Sequence, residues 1–155
     1  MDDAGFSVRR LTAADIGPMR DLLRMLGEAF GEVETFTANP PGEAYLRRLL
    51  GKPDFVALAA MQGDEAVGGL MAYELQKFEQ ERSEFYIYDL AVREDCRRRG
   101  VATALIESLK PIAAASGGHV IFVQADHGDD AAVALYTKLG VREDVNAFRH
   151  RRRMI

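Results

Sequence analysis

The feature that most constrains this chain is a predicted strand that runs into an arginine-rich loop, a glycine and a predicted helix. The strand ends at Leu90-Ala91-Val92, and apolar residues at helical spacing begin at Val101. Unpaired backbone N–H groups and the positive end of the helix dipole meet at such a junction, so it favours anions. The residues expected to contact an anion are Arg97, Arg98, Arg99, Gly100, Val101, Ala102 and Thr103, and the strand end at Leu90, Ala91 and Val92 leads into them.

Two common phosphate-binding motifs are missing from this loop. A Walker loop needs Gly-Lys-Ser/Thr before its helix and a dinucleotide fingerprint needs Gly-x-Gly-x-x-Gly, and neither is present. The small residues Gly100 and Ala102 instead let a phosphate approach the backbone amides, while the arginines add paired hydrogen bonds to phosphate oxygens. The alternative interpretation is a solvated basic turn before a surface helix.

Length and composition predict a single domain over residues 1–155. Single cores commonly form from about 100–200 residues, and 48% of these 155 residues are hydrophobic while 28% are charged. The one cysteine, Cys96, cannot form an internal disulfide. Residues 1–11 lack a long apolar run, so we expect neither a secretory signal nor a membrane span, and a cytoplasmic location.

Hydrophobic periodicity and turn residues predict a mixed α/β fold. The predicted strands are 6–11, 55–61, 66–75, 84–92, 119–124, 141–145 and 148–154, and the predicted helices are 16–31, 45–51, one from Val101 to about residue 116, and one capped by Asp129 or Asp130 that ends at Leu139. Pro111 is expected to kink or shorten its helix, because proline lacks an N–H donor. The apolar strand at 119–124 is expected to be buried and central.

The arginine-rich loop resembles the coenzyme A loop of the GNAT superfamily of acetyltransferases. Arg97, Gly100 and Ala102 match the superfamily's Arg/Gln-x-x-Gly-x-Gly/Ala signature, which binds the pyrophosphate of coenzyme A. The resemblance implies acetyl-coenzyme A as the acetyl donor and coenzyme A as a product. It also implies a central mixed, mostly antiparallel twisted sheet flanked by helices.

A second segment is similar to the superfamily's Asn-x-x-Ala-x-x-Leu-Tyr-x-x-Leu-Gly-Phe motif. The matching residues are Ala132, Leu135, Tyr136, Leu139 and Gly140, while Asp129 replaces the usual Asn and Val141 the usual Phe. The resemblance implies cofactor contacts at Asp129, Ala132 and Tyr136, with the tyrosine near the coenzyme A sulfur. Taken without the arginine loop, Tyr136 would fit a core-edge aromatic better.

Acidic residues near the end of the long strand are candidates for the base of an acetyl transfer. Amide formation from a thioester needs a neutral amine, so a carboxylate or a water chain must remove a proton. Asp89 directly precedes the point where the sheet is expected to splay and is the first candidate, with Glu84 and Asp126 as second candidates. Asp89 could instead cap the loop or pair with an arginine. Tyr136, with an ordinary pKa of about 10, is the candidate acid for the leaving thiolate.

A closer resemblance is to the type I aminoglycoside 3-N-acetyltransferases. It rests on Lys77-Phe78-Glu79-Gln80 and on residues 82–92, 123–126 and 128–140. The resemblance implies a small polycationic substrate such as gentamicin, acetylation at the 3-amino group of the deoxystreptamine ring, and a homodimer. Acids that could contact this substrate are Glu28, Glu32, Glu34, Glu79, Glu84, Asp126, Asp129 and Asp130, although at least half of the acids are expected to be solvated surface.

Several other interpretations stay open. The acceptor amine could belong to a polyamine, a lysine or a protein N-terminus, and a noncatalytic domain could sense coenzyme A or bind RNA. The basic segment at residues 149–153 departs from the family, and fits a solvated edge strand or tail better than a nucleic-acid or membrane contact. We expect no metal, nucleic acid or membrane partner, and the three histidines show no ligand spacing.

Overall fold

The computed structural model describes residues 5–149. Contacts group the chain into two units, the first ending at Val123 and the second beginning at Gln124. The elements are β1 (Ser7–Arg10), α1 (Ile16–Phe30), α2 (Val33–Thr37), α3 (Glu43–Leu50), β2 (Phe55–Gln62), β3 (Glu65–Gln76), β4 (Ser83–Val92), a 3-10 turn (Glu94–Cys96), α4 (Val101–Ala115), β5 (Gly118–Val123) and α5 (Asp130–Leu139). The first unit therefore contains every strand of the described chain.

A five-stranded sheet organises the first unit, with its strands in the order β1-β2-β3-β4-β5. The first three pairings are antiparallel and the β4–β5 pairing is parallel. The predicted mixed, mostly antiparallel sheet flanked by helices is thus confirmed. One irregularity matters for the site: Met71 faces Asp89 while Ala72 faces Ile87, so Tyr88 is an extra residue in β4.

Helices α1 and α4 pack against the sheet of the first unit because each has an apolar stripe. In α1 the side chains of Met19, Leu22 and Leu26 recur on one face and are buried in a core with β2 and β3. In the turn that leads into α1, the Asp15 carboxylate accepts a hydrogen bond of 2.7 Å from the Thr12 N–H. The end of α1 is fixed by Gly31, whose φ of 67° suits a left-handed terminus.

Two adjacent glycines in β3 allow helices to approach opposite faces of the sheet. A Cβ on Gly68 would meet Val101 and Leu105 of α4, whereas a Cβ on Gly69 would overlap Leu22 of α1. Since neighbouring residues of a strand point to opposite faces, α1 and α4 cover opposite sides. The fold therefore depends on the absence of side chains at both positions.

Replacing Gly69 by alanine is expected to destabilise the protein by about 1–3 kcal/mol, because Leu22 is fully buried and has no room to move. The measurement is chemical unfolding of the variant against the parent. Gly17→Ala is the matched control, since nothing lies within 4 Å of the Cβ position there. Equal stability of the Gly69 variant and the parent would contradict this packing.

Two local predictions about α4 and β5 are wrong. Pro111 does not shorten its helix, since α4 continues through it to Ala115; Pro111 is exposed, and water can solvate the carbonyl that its missing N–H leaves without a donor. Strand β5 is an edge strand of the described sheet and Val120 is 41% exposed, so it is neither central nor buried. An apolar run of six residues does not reveal how many strands flank it.

The predicted strand at 141–145 is also wrong, because the described residues 141–149 form no helix or strand. Val141 and Phe148 are almost fully exposed, and Arg142 pairs locally with Asp144 at 2.9 Å. A strand needs a hydrogen-bonded neighbour, and this segment has none among the described residues. The predicted strand at 148–154 and the basic segment at 149–153 lie outside the described residues from position 150 onward.

Candidate active site

Strand β5 pairs with only the first part of β4. Its last residue, Val123, lies opposite Ile87, while β4 stays paired with β3 as far as Val92. The last five residues of β4 therefore leave about 16 Å of strand edge that β5 does not occupy. An extended ligand with amide groups can add to such an edge as a strand would.

The loop after β4 presents the start of α4 without a protein cap. Arg98 has a φ of 62° and Gly100 a φ of 80°, and no side chain caps the helix. The first-turn N–H groups of α4 are thus available to an anion. Arg97 ties the loop back to the strand end through a 3.3 Å hydrogen bond from Nε to the Val92 carbonyl. The loop and the open edge fit an extended acyl carrier that contains a pyrophosphate.

Arg93 braces this loop, a role that the sequence analysis missed. Its guanidinium contacts Asp95 at 2.6 Å and Glu65, in the β2–β3 hairpin, at 3.0 Å, while its N–H donates to the Val67 carbonyl at 2.8 Å. Hydrogen bonds to Asp95 and then to Glu65 raise the pKa of Arg93. The sequence does not distinguish Arg93 from the three arginines that follow it, because its partner Glu65 is distant in the chain.

Asp89 lies on β4 just beyond the last residue that pairs with β5, and it is half-buried. Burial raises the pKa of its carboxyl group, and the negative charge of Glu32 raises it further. No lysine or arginine of residues 5–149 forms an ion pair with Asp89. The described residues therefore do not support the alternative in which Asp89 pairs with an arginine. A carboxylate held near another carboxylate, with no cation beside it, is suited to accept a proton or bind a cation.

The end of α1 adds to this negative region. The helix has no basic residue in its last turn, Glu28 lies there, and Glu32 follows at the start of α2. The negative end of the helix dipole is therefore uncompensated. Helix α2 was not predicted from the sequence. Its Phe36 packs against Phe30 of α1 with ring centroids 6.0 Å apart. Glu34 lies in α2 and is exposed.

Glu79 and Glu84 occupy a different part of β4 and its hairpin. Lys77 lies 3.8 Å from Glu79 and 3.6 Å from Glu84, and Arg82 lies 3.4 Å from Glu79. These cations partly neutralise both acids. Glu84 is also five residues from Asp89 along β4, a distance of about 16 Å. The structure does not bring the two candidate bases together.

A row of aromatic side chains, which the sequence analysis did not identify, lies on the sheet face that carries Asp89. Tyr73 contacts Tyr88 edge-on at 5.9 Å, Tyr88 contacts Tyr86 at 5.7 Å, and Tyr86 stacks on Phe122 at 4.7 Å. We call these four residues the aromatic platform. The alternation in Phe85-Tyr86-Ile87-Tyr88 was an available signal, since Phe85 and Ile87 are buried and the tyrosines are not.

The remaining candidate residues belong to the second unit. The Asp129 carboxylate accepts a 3.1 Å hydrogen bond from the Ala132 N–H and so caps α5. Burial, followed by the negative charge of Asp129, raises the pKa of Tyr136 to about 12. Asp126 and Asp130 are exposed.

Within residues 5–149, no group of three or more His, Cys, Asp or Glu side chains is arranged to hold a metal ion. No helix in that part of the chain is long and apolar enough to cross a membrane.

Comparison with known proteins identifies the family. The model of the Acetyltransferase (GNAT) family matches residues 19–141. An aminoglycoside acetyltransferase from an uncultured soil metagenomic sample is 56% identical, with a TM-score of 0.92 over 94% of this chain and 97% of that chain. Another from such a sample, solved in complex with sisomicin, is 29% identical, with a TM-score of 0.88 over 97% and 99% of the two chains.

A more distant structure shares the fold alone. The ribosomal-protein-alanine N-acetyltransferase from Brucella melitensis biovar Abortus 2308 is 21% identical, with a TM-score of 0.73 over 94% of this chain and 98% of that chain. The comparison with curated proteins found no match. The chain therefore belongs to the GNAT family of acetyltransferases, which use acetyl-coenzyme A, and is a homologue of aminoglycoside acetyltransferases.

Proposed function

We propose that this chain acetylates an amino group of an aminoglycoside, at the 3-amino group of the deoxystreptamine ring in gentamicin-type drugs, and so confers resistance. The observation that carries the proposal is the half-buried Asp89, which lies on β4 just beyond its pairing with β5, is affected by the negative charge of Glu32 and has no basic partner within residues 5–149. A polycationic amine is attracted to such a site. The relative at 56% identity supports an aminoglycoside as that amine.

The donor is proposed to bind along the open edge of β4 and at the start of α4. Backbone groups of Leu90 and Val92 would hold the extended arm, and the N–H groups of Val101, Ala102 and Thr103 would hold the pyrophosphate. Acetyl-coenzyme A supplies an activated acetyl group as a thioester. The exposed side chains of Arg97, Arg98 and Arg99 would add positive charge near the phosphates.

Asp89 is the proposed base, acting directly or through water. The acceptor nitrogen must lose a proton to present its lone pair to the thioester carbonyl carbon. The raised pKa of Asp89 makes its carboxylate a stronger base than an ordinary aspartate. Glu84, paired with Lys77, is the weaker candidate for this step.

Tyr136 is the proposed acid, since a pKa of about 12 keeps its proton in place over the working pH range. The C–S bond breaks as the new C–N bond forms, and the leaving thiolate takes that proton. Tyr136→Phe is expected to lower kcat at least about tenfold with little change in the KM for acetyl-coenzyme A. Steady-state kinetics over a pH series is the measurement, and an unchanged kcat at every pH would exclude the role.

The activity is tested by thiol release from acetyl-coenzyme A with gentamicin, spermidine and a lysine peptide as acceptors. Acetylated gentamicin at micromolar substrate is the expected product, with mass spectrometry and NMR locating the acetyl group on the 3-amino nitrogen. Turnover with spermidine or the peptide alone would refute the aminoglycoside assignment and retain the acetyltransferase. Expression in a susceptible bacterium should raise the inhibitory concentration of the drug.

A further inference from the structure

We propose that the aromatic platform, Tyr73, Tyr86, Tyr88 and Phe122, is the binding surface for the sugar rings of the acceptor and orients its amino groups toward Asp89. The inference rests on the proposed function and specifies how that acceptor is recognised. It starts from the contacts already described, which join the four rings into one row with centroid spacings of 4.7–5.9 Å.

The row of aromatic rings is accessible to a ligand. Tyr88 is 62% exposed and Tyr73 is 38% exposed. Met71, which lies on the same face two residues before Tyr73, belongs to the core beneath α1 and α3. The row therefore begins where the core covered by these helices ends, and it presents large aromatic surface that the core does not use.

The row lies next to Asp89 on the sheet. The extra residue in β4 is Tyr88, and Asp89 follows it opposite Met71. Asp89 thus shares a face with Tyr73. A ligand that lies on the rings would have its cationic groups next to Asp89 and Glu32, where the negative charges are concentrated.

The chemistry of the row fits an amino sugar. Aromatic faces attract ammonium groups and offer flat apolar contact, and burial raises the pKa of Tyr73, which keeps that ring neutral. An amino sugar has both an apolar ring face and ammonium groups. A linear polyamine has the charges without the rings, so the platform should favour the amino sugar.

Tyrosine emission provides a direct binding assay, because the chain has five tyrosines and no tryptophan. Three of those tyrosines, Tyr73, Tyr86 and Tyr88, belong to the platform. Gentamicin is expected to change the emission on binding, without any need for turnover. Spermine, matched in charge but without rings, is the comparison ligand.

Tyr88→Leu is expected to raise the Kd and the KM for gentamicin about 5- to 30-fold, with the KM for acetyl-coenzyme A nearly unchanged. Tyr88→Phe keeps the ring and should stay within about twofold of the parent. Phe78→Leu removes an aromatic side chain that is fully exposed outside the platform and serves as the matched control.

Several results would overturn the platform. Equal losses for gentamicin and spermine would show that rings are not recognised, and an unaffected Tyr88→Leu variant would remove the residue from the site. A change in sedimentation of Tyr88→Leu without a change in Kd would make the face an interface between copies. If the parent binds gentamicin through Tyr88 yet never acetylates it, the platform stands and the proposed function fails.

Discussion

Replacing Asp89 by asparagine is expected to lower kcat/KM for the aminoglycoside roughly 10²- to 10⁴-fold, the usual contribution of a positioned base. Asparagine keeps the size of the side chain and removes its ability to accept the proton. The deficit should shrink at high pH, where a larger fraction of the acceptor amine is already neutral. Kinetics over a pH series gives this profile, and a parental profile in the variant would assign the base elsewhere.

The stability of the same variant gives a second, independent readout. Because the folded-state pKa of Asp89 is raised, ionising the group costs the folded protein stability as pH rises from its unfolded pKa through its folded pKa. Asp89→Asn should therefore be at least as stable as the parent at about pH 7.5, and lose that advantage below about pH 4. Lower stability at neutral pH would indicate a structural role.

Two further variants separate Asp89 from its alternatives. Glu32→Gln removes the neighbouring charge that helps to raise the pKa of Asp89, so the acidic limb of the kcat/KM profile should move to lower pH. Glu84→Gln should leave that limb in place, because Glu84 pairs with Lys77 and lies five residues from Asp89 along β4. A large loss of kcat in Glu84→Gln alone would exchange the two assignments.

Replacing Gly100 by glutamate is expected to weaken coenzyme A binding at least about 100-fold, because the added carboxylate would repel the pyrophosphate from the first-turn N–H groups of α4. The change should not unfold the protein through a clash, since nothing lies within 4 Å of the Cβ position. An acid near a helix N-terminus also offsets part of the strain at a φ of 80°. Calorimetric titration with coenzyme A measures the loss.

Gly100→Asn is the matched control for that variant. Asparagine tolerates a left-handed conformation better than other side chains and is uncharged, so it tests bulk and strain without repulsion. It should retain most of the affinity for coenzyme A. Equal losses in the two variants would attribute the effect to backbone strain, and unchanged affinity in Gly100→Glu would refute the proposed cradle.

Local sequence signals predicted most elements of the first unit. The apolar stripe of α1 and the left-handed end at Gly31 appear as a helical period followed by glycine. The apolar runs of β2 and β3 appear in the sequence with turn residues between them. These features depend on residues that are close in the chain, so their physical causes can be identified in one dimension. The expected shortening of α4 at Pro111 and the predicted strand at 141–145 were wrong, because solvent access and a strand partner decide these outcomes.

The sequence by itself determined the order of strand, arginine loop, Gly100 and helix, and the family motif within that order. Only the tertiary structure decided that β5 leaves β4 at Ile87, that Tyr88 is an extra residue in β4, and that Glu32 lies near enough to raise the pKa of Asp89. It likewise decided that Tyr73, Tyr86 and Phe122 form one row. A motif is fixed by neighbouring residues, whereas these relations require strand register and helix packing, which depend on contacts between distant parts of the chain.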